Sequence, residues 1–314
     1  GASGVSVVGA VVSTRTDEEL KTLFDPGYLA DQMSGAGSTS PLMRAVRPRL
    51  LQIDEVVEMI DRMVPDMTFQ EAFERSGRML NVSVAPAETH QTSRLLNATT
   101  SPNVLIRKSI LASAAVPGIY PPVVLEARDK WGERQPYLPS RKWVDGSVSD
   151  DLPTKRLARL YGVNHYIVSQ TNPAVLPFLT DSRRKRGSMA IVQEATRRTA
   201  REWLNAGAAI LHKPLSRDTG FSKVANTFIS LVNQDYVGDV NILPPSRTPN
   251  PFKVLHHLNA ADIQKMISEG ERATWRRLEM IRVQTRISRV LDDIVYSQRR
   301  QLIASPGRGK RKAA

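Results

Sequence analysis

Apolar residues recur three or four places apart in some stretches of the chain and alternate or cluster in others. The two rhythms predict helices interleaved with short strands. Helical spacing joins Ile53, Val56, Val57 and Ile60, and a second short helix carrying Ala72 and Phe73 opens at Thr68 with Glu71 three places on. The same pairing of Thr16 with Glu19 marks a helix start, with acidic residues favoured in the first turn. Further helices are predicted over Val104 to Ala115, ended by Val116-Pro117-Gly118, and over Pro153 to Leu160.

Strand signals lie between them. Asn81 to Pro86 alternates polar and apolar residues before proline, Val123 to Leu125 and Lys142 to Val144 are short apolar runs, and His165 to Ser169 suits a buried strand. The first apolar run, Val5, Val7, Val8, Val11 and Val12, is β-branched and intrinsically favours strand, whereas a turn leading into a buried helix would override that preference. Gly35 to Pro41 reads as a loop.

Beyond Arg183 the pattern changes. Arg183-Arg184-Lys185-Arg186 introduces a predicted long helix with Val192, Ala195, Thr199, Trp203 and Ala206 on one side, weakened at Gly207. A proline-rich connector from Leu243 to Pro251 leads to helical stretches over Asp262 to Ser268 and Glu271 to about Ala304, the latter spacing Leu278, Ile281, Ile287, Val290, Leu291 and Ile294. A basic tail, Arg308 to Lys312, reads as disordered.

Composition narrows the function classes. In 314 residues, 41 % are hydrophobic and 24 % charged, as in ordinary globular proteins. With no cysteine there can be no disulfide, thiolate metal site or cysteine nucleophile, which fits an intracellular setting. No apolar run reaches the ~18 residues of a membrane span and no signal peptide precedes Gly1, so the expected state is soluble or peripheral. The net charge of +13 favours polyanionic partners, anionic lipid surfaces or nucleic acid. There is no phosphate loop, Cys/His metal spacing or aromatic RNA-binding box, which leaves the lipid reading less contested.

The chemistry centres on Gly1-Ala2-Ser3-Gly4-Val5 and Trp143-Val144-Asp145-Gly146. Taken alone, Ser3 reads as a surface or capping serine and Asp145 as a turn aspartate before glycine. The context changes that. In order along the chain stand GASGVSVVGAVVSTRTDEEL, TFQEAFERSGRMLNVSVAP, SPNVLIRKSILASAAVPGIYPPVVL, WVDGSVSDDLPTKRLARLYGVNHYIVSQTNP and GERATWRRLEMIRVQTRISRVLD. Together these segments resemble the patatin-like lipid acyl hydrolases, most closely the storage-lipid (triacylglycerol) lipase branch and its bacterial relatives.

The resemblance implies an α/β layered fold with a central, mostly parallel sheet between helices. It implies a Ser–Asp dyad, with the elbow serine falling on Ser3 and the aspartate of the D-G motif on Asp145, followed by Gly146. In such a dyad the aspartate takes the serine proton, the serine attacks an ester carbonyl, and water hydrolyses the acyl-enzyme. No histidine, metal or organic cofactor is required. The five histidines, His90, His165, His212, His256 and His257, show no partner pattern and read as structural or solvated. Gly1 and Gly4 belong to the elbow, with the Gly4 amide as oxyanion donor, while Val5 stands where the motif has its last glycine and is expected to crowd the turn.

The chain starts at the elbow, so the family's preceding strand and glycine-rich oxyanion loop are expected to be missing; losing one oxyanion donor typically costs ~10²–10³ in rate. Ser113 lies in a stretch of small residues read as allowing close packing at a helix end, and Arg15 is read as part of helix capping. The expected organisation is a catalytic domain over 1–180, truncated at its N-terminus, a helical extension over 181–304 packing on it, and a basic tail over 305–314.

Expected partners are an acyl-lipid substrate, triacylglycerol or phospholipid, and an anionic membrane or lipid-droplet surface contacted by Arg183, Arg184, Lys185 and Arg186. No nucleic acid is expected, and the expected location is cytoplasmic or peripheral on a lipid surface. The alternative is a non-catalytic basic protein that binds membranes or nucleic acid.

Overall fold

The computed structural model describes residues 4–33, 53–88, 91–117, 120–148, 152–170, 238–244 and 260–304. The valine-rich opening is a helix, α1 (Gly4–Ser13), not a strand. β-Branched residues lower helix propensity by only tenths of a kcal/mol each, and burial outweighs that. Val7, Ala10 and Val11 lie on one face at helical spacing and are buried, against α4 (Ile53–Met63), α5 (Phe69–Ser76) and α6 (Ile106–Ala114).

Hydrogen bonds fix where α1 ends. Thr14 Oγ1 donates to the Ala10 carbonyl at 2.7 Å, and Arg78 Nη1 donates to the carbonyls of Val12 and Arg15 at 3.1 and 2.9 Å. Arg15 reaches across to the last carbonyl of α4, Nη2 to Met63 O at 2.6 Å, so it closes two helix ends rather than one. Thr16 then caps α2 (Asp17–Leu23) in a capping box with Glu19, and Thr68 caps α5 with Glu71 in the same way. α3 (Pro26–Met33) follows α2 and packs against α4.

The main sheet has strand order β2–β1–β5, built from β1 (Val82–Pro86), β2 (Arg94–Leu96) and β5 (Trp143–Asp145). Both pairings are antiparallel. The mostly parallel sheet expected from the resemblance is therefore not what the described strands form. The short link between β1 and β2 cannot hold the crossover that parallel pairing requires, which takes a dozen or more residues. Parallel pairing occurs between β6 (Ile167–Ser169) and β7 (Val240–Ile242), which are far apart in sequence. That pair joins residues from either side of the boundary expected at 180.

A hairpin of β3 (Leu125–Arg128) and β4 (Arg134–Tyr137) stands beside the main sheet. Its turn uses Gly132 at φ 86°, and Asp129 Oδ1 accepts the N–H groups of Trp131 and Glu133, both at 2.9 Å. Arg128 ties the hairpin to α5 and the segment before it, bonding Glu71 at 2.6 Å and Asp66 at 2.9 Å, while Arg134 reaches Asp66 at 2.6 Å.

All five residues of β1 are buried, although the segment alternates polar and apolar side chains. Both faces of this strand are covered, so the alternation does not mark one wet face. β6 departs the other way: Val168 is buried while Ile167 is exposed. α7 (Thr154–Tyr161) starts one residue after Pro153, its N-cap, and ends at Gly162 in the left-handed region.

Two long helices complete the described chain, α8 (Ala260–Gln284) and α9 (Arg286–Ala304). The expected break near Gly270 is absent, and helical hydrogen bonding also continues past Thr285, whose N–H donates to Ile281 O at 3.0 Å. α8 touches α3 and β7. None of the helices is long and apolar enough to cross a membrane among the described residues.

Candidate active site

Asp145 is the last residue of β5 and is 3 % exposed. Its position is fixed from two sides. It pairs with Val84 of β1 across the sheet, and its backbone N–H donates to the Ala115 carbonyl just after α6, at 3.1 Å. Its Oδ1 accepts the Ser147 N–H at 2.9 Å, the geometry of an aspartate closing a turn on its own backbone. The turn aspartate expected from the sequence alone is thus present, and it sits in the protein interior.

Gly146 explains why the motif continues with glycine. It opens a short 3₁₀ turn (Gly146–Val148) pressed onto β1. A Cβ at this position would lie 2.5 Å from the Ser83 carbonyl carbon and 2.6 Å from the Val84 nitrogen, distances that no side chain can accept. The close approach of the turn to β1 holds Asp145 at the strand end.

Small residues on α6 serve the same end. Ala112, Ser113, Ala114 and Ala115 are buried, so the helix end comes close enough for the Ala115 carbonyl to accept from Asp145. This is the close packing read from that segment. Ser113 Oγ and Ser83 Oγ are buried and have no hydrogen-bond partner among the described residues.

α6 packs against both β5 and α1. The helix that begins immediately after Ser3 and the strand that ends in Asp145 therefore share one neighbour. Gly4 is the first residue of α1, where backbone N–H groups have no partner within the helix and carry the positive end of its dipole. Val5 is 45 % exposed, and the turn it is expected to crowd lies outside the described residues. Gly1 and Ser3 lie outside the described residues, as do Arg183, Arg184, Lys185 and Arg186.

One histidine departs from the reading of no partner. His165 Nδ1 lies 3.5 Å from Asp239 Oδ2, which also accepts the Tyr166 N–H at 2.8 Å. Asp239 is some seventy residues away in sequence, so no local pattern could reveal the pair. Among the described residues no group of three or more His, Cys, Asp or Glu could hold a metal ion.

Residues 1–158 match the family model described as patatin-like phospholipase. The chain is 32 % identical to a triacylglycerol lipase of Arabidopsis thaliana, with 94 % of this chain and 38 % of the relative covered. It is 33 % identical to a patatin-like phospholipase domain-containing protein of Chaetomium globosum, over 93 % of this chain and 36 % of that relative. A similar protein of Neurospora crassa is 32 % identical over 93 % of this chain and 35 % of its own length. The chain thus spans well under half the length of these relatives.

Proposed function

Since the chain belongs to the patatin-like phospholipase family, we propose that it is a serine hydrolase of acyl-lipid carboxylic esters that works through Ser3 and Asp145. The Ser3 oxygen adds to the ester carbonyl carbon while its proton passes to the Asp145 carboxylate. Collapse of the tetrahedral adduct breaks the bond to the alcohol, which leaves with that proton. Water repeats the sequence on the acyl-serine and releases the fatty acid. The Gly4 amide at the start of α1 is the oxyanion donor nearest to hand in the chain.

The observation that carries this reading is the setting of Asp145: a buried carboxylate at a strand end, followed by a glycine that no other residue can replace, packed against the helix that also packs on α1. A turn aspartate that only closed a loop would have no need of such burial. The substrate we propose is an acyl lipid, triacylglycerol or phospholipid, met at an anionic membrane or droplet surface to which the net charge of +13 draws the protein. The family match does not favour the non-catalytic alternative.

Hydrolysis of p-nitrophenyl butyrate by the chain and by its Ser3→Ala and Asp145→Asn variants tests the dyad. Each substitution is expected to lower kcat by about 10³-fold or more, and the double variant by no more than the worse single one. Undiminished turnover in Asp145→Asn, with the fold intact by circular dichroism, would overturn the assignment.

A further inference from the structure

α8 is anchored near its start, where Ile263 is buried and the helix touches α3 and β7. Exposure rises along it, and in α9 every residue from 286 to 303 is exposed. The two helices run as one rod. Thr285 N–H donates to Ile281 O at 3.0 Å and Arg289 N–H to Thr285 O at 3.1 Å, so the helical ladder crosses their junction.

Along the rod Met280, Val283, Ile287, Val290 and Ile294 are all exposed and stand alternately three and four residues apart. That is the spacing of a seam that a second helix fills, knob into hole. Glu279, Arg286, Asp293 and Arg300 flank the seam at seven-residue intervals, one place before residues 280, 287, 294 and 301, and their charges alternate in sign. Arg286 and Asp293 form no ion pair among the described residues.

We propose that a second copy of this chain covers the seam, its rod running antiparallel to the first. In the register that sets Ile287 against Val290 of the second copy, Val283 meets Ile294, and symmetry repeats both layers. The same register sets Arg286 against Asp293 of the second copy and Glu279 against Arg300. A slip of seven residues one way would bring Arg286 onto Arg286 and Glu279 onto Asp293. A slip the other way would bring Asp293 onto Asp293 and Arg286 onto Arg300. A parallel pair would set the flanking residues against Gln284, Leu291 and Gln298, which carry no charge. Charge thus selects one orientation and one register. Glu279 already accepts from Arg282 on its own helix at 2.7 Å, so the Arg286–Asp293 pairs decide the register most strongly.

The arrangement leaves room for the rest of each copy. Its twofold axis falls between residues 288 and 289, which puts the two Ile263 anchors about 75 Å apart along the rod. With only four apolar layers the pairing is weak, with Kd on the order of 10⁻⁵ M, and the dilute chain is monomeric with α9 bare. Neither Ser3 nor Asp145 takes part, so the assembly stands or falls independently of the ester chemistry.

Sedimentation equilibrium of the chain from about 1 to 200 µM tests the pairing, and a monomer–dimer equilibrium is expected. Arg286→Asp and Asp293→Arg should each weaken it at least about tenfold, with unchanged circular dichroism. An equimolar mixture of the two variants should recover the parent's affinity within about threefold, because each supplies the sign that the other lacks. The sequence has no cysteine, so single thiols report orientation. On oxidation Val283→Cys mixed with Ile294→Cys should give a disulfide-linked dimer, and neither variant alone should. A chain that stays monomeric at the highest concentration, a mixture that fails to recover, or a thiol variant that links to itself overturns the proposal.

Discussion

Helices α1 and α9 are both rich in aliphatic residues at helical spacing, and the protein treats them in opposite ways. α1 buries Val7, Ala10 and Val11 against three other helices. α9 carries Ile287, Val290, Leu291 and Ile294 on one face, and Ile287 is 72 % exposed. Spacing determines that a helix has an apolar face; it does not determine what covers that face. Around α1 the partners come from 53–63, 69–76 and 106–114, whose own apolar faces converge there. The same contrast divides the molecule, and the buried Asp145 lies in the well-packed part.

The largest expected effect separates the two regions by stability. Ile60, 2 % exposed on α4, and Ile287 on α9 are the same residue in the same secondary structure. Ile60→Ala should cost about 2–5 kcal/mol in urea unfolding, as buried aliphatic truncations do, and Ile287→Ala less than about 0.5 kcal/mol. Comparable losses at the two sites would mean that α9 is as tightly covered as α1, and the contrast would fall.

A smaller effect concerns charge. Burial pulls the Asp66 carboxyl upward, but hydrogen bonds from Arg134 and Arg128 outweigh it and leave the group below its usual range. Its ionised form therefore stabilises the fold above the unfolded carboxylate value near 4, and that contribution fades as pH falls through the lower folded value. Glu279 is also held low, by a hydrogen bond from Arg282 one turn away, but it is fully exposed. Asp66→Asn should lower stability at pH 7, with the difference from the parent chain closing below about pH 4, whereas Glu279→Gln should change little at any pH. Unfolding followed from pH 7 to pH 2 checks both; a constant gap for Asp66→Asn would show that its ion pairs do not supply the stability.

What could be read from the chain follows the same division between local and distant causes. The capping boxes at Thr16 and Thr68 were legible because two residues three places apart suffice to make each one. The helix over 106–114 and the strand over 82–86 were legible from short-range rhythm. β2 and β4 were not, because three or four residues with exposed arginines at their starts carry no period and become strands only through their partners. The antiparallel main sheet was hidden for the same reason, since pairing depends on how the chain returns.

At the site, Asp145 was legible as an aspartate before glycine, and only the resemblance singled it out from other turn aspartates. The structure adds what no motif states: its burial, the carbonyl at 115 that holds its amide, and the backbone that forbids a side chain at 146.

The most direct test of the account is covalent labelling with a fluorophosphonate, with the modified residue located by peptide mass spectrometry. The account predicts a single adduct on Ser3, formed at least about 10²-fold more slowly in Asp145→Asn, because the nucleophile then lacks its base. An adduct on another serine, or labelling of Ser3 at the same rate in Asp145→Asn, would contradict it.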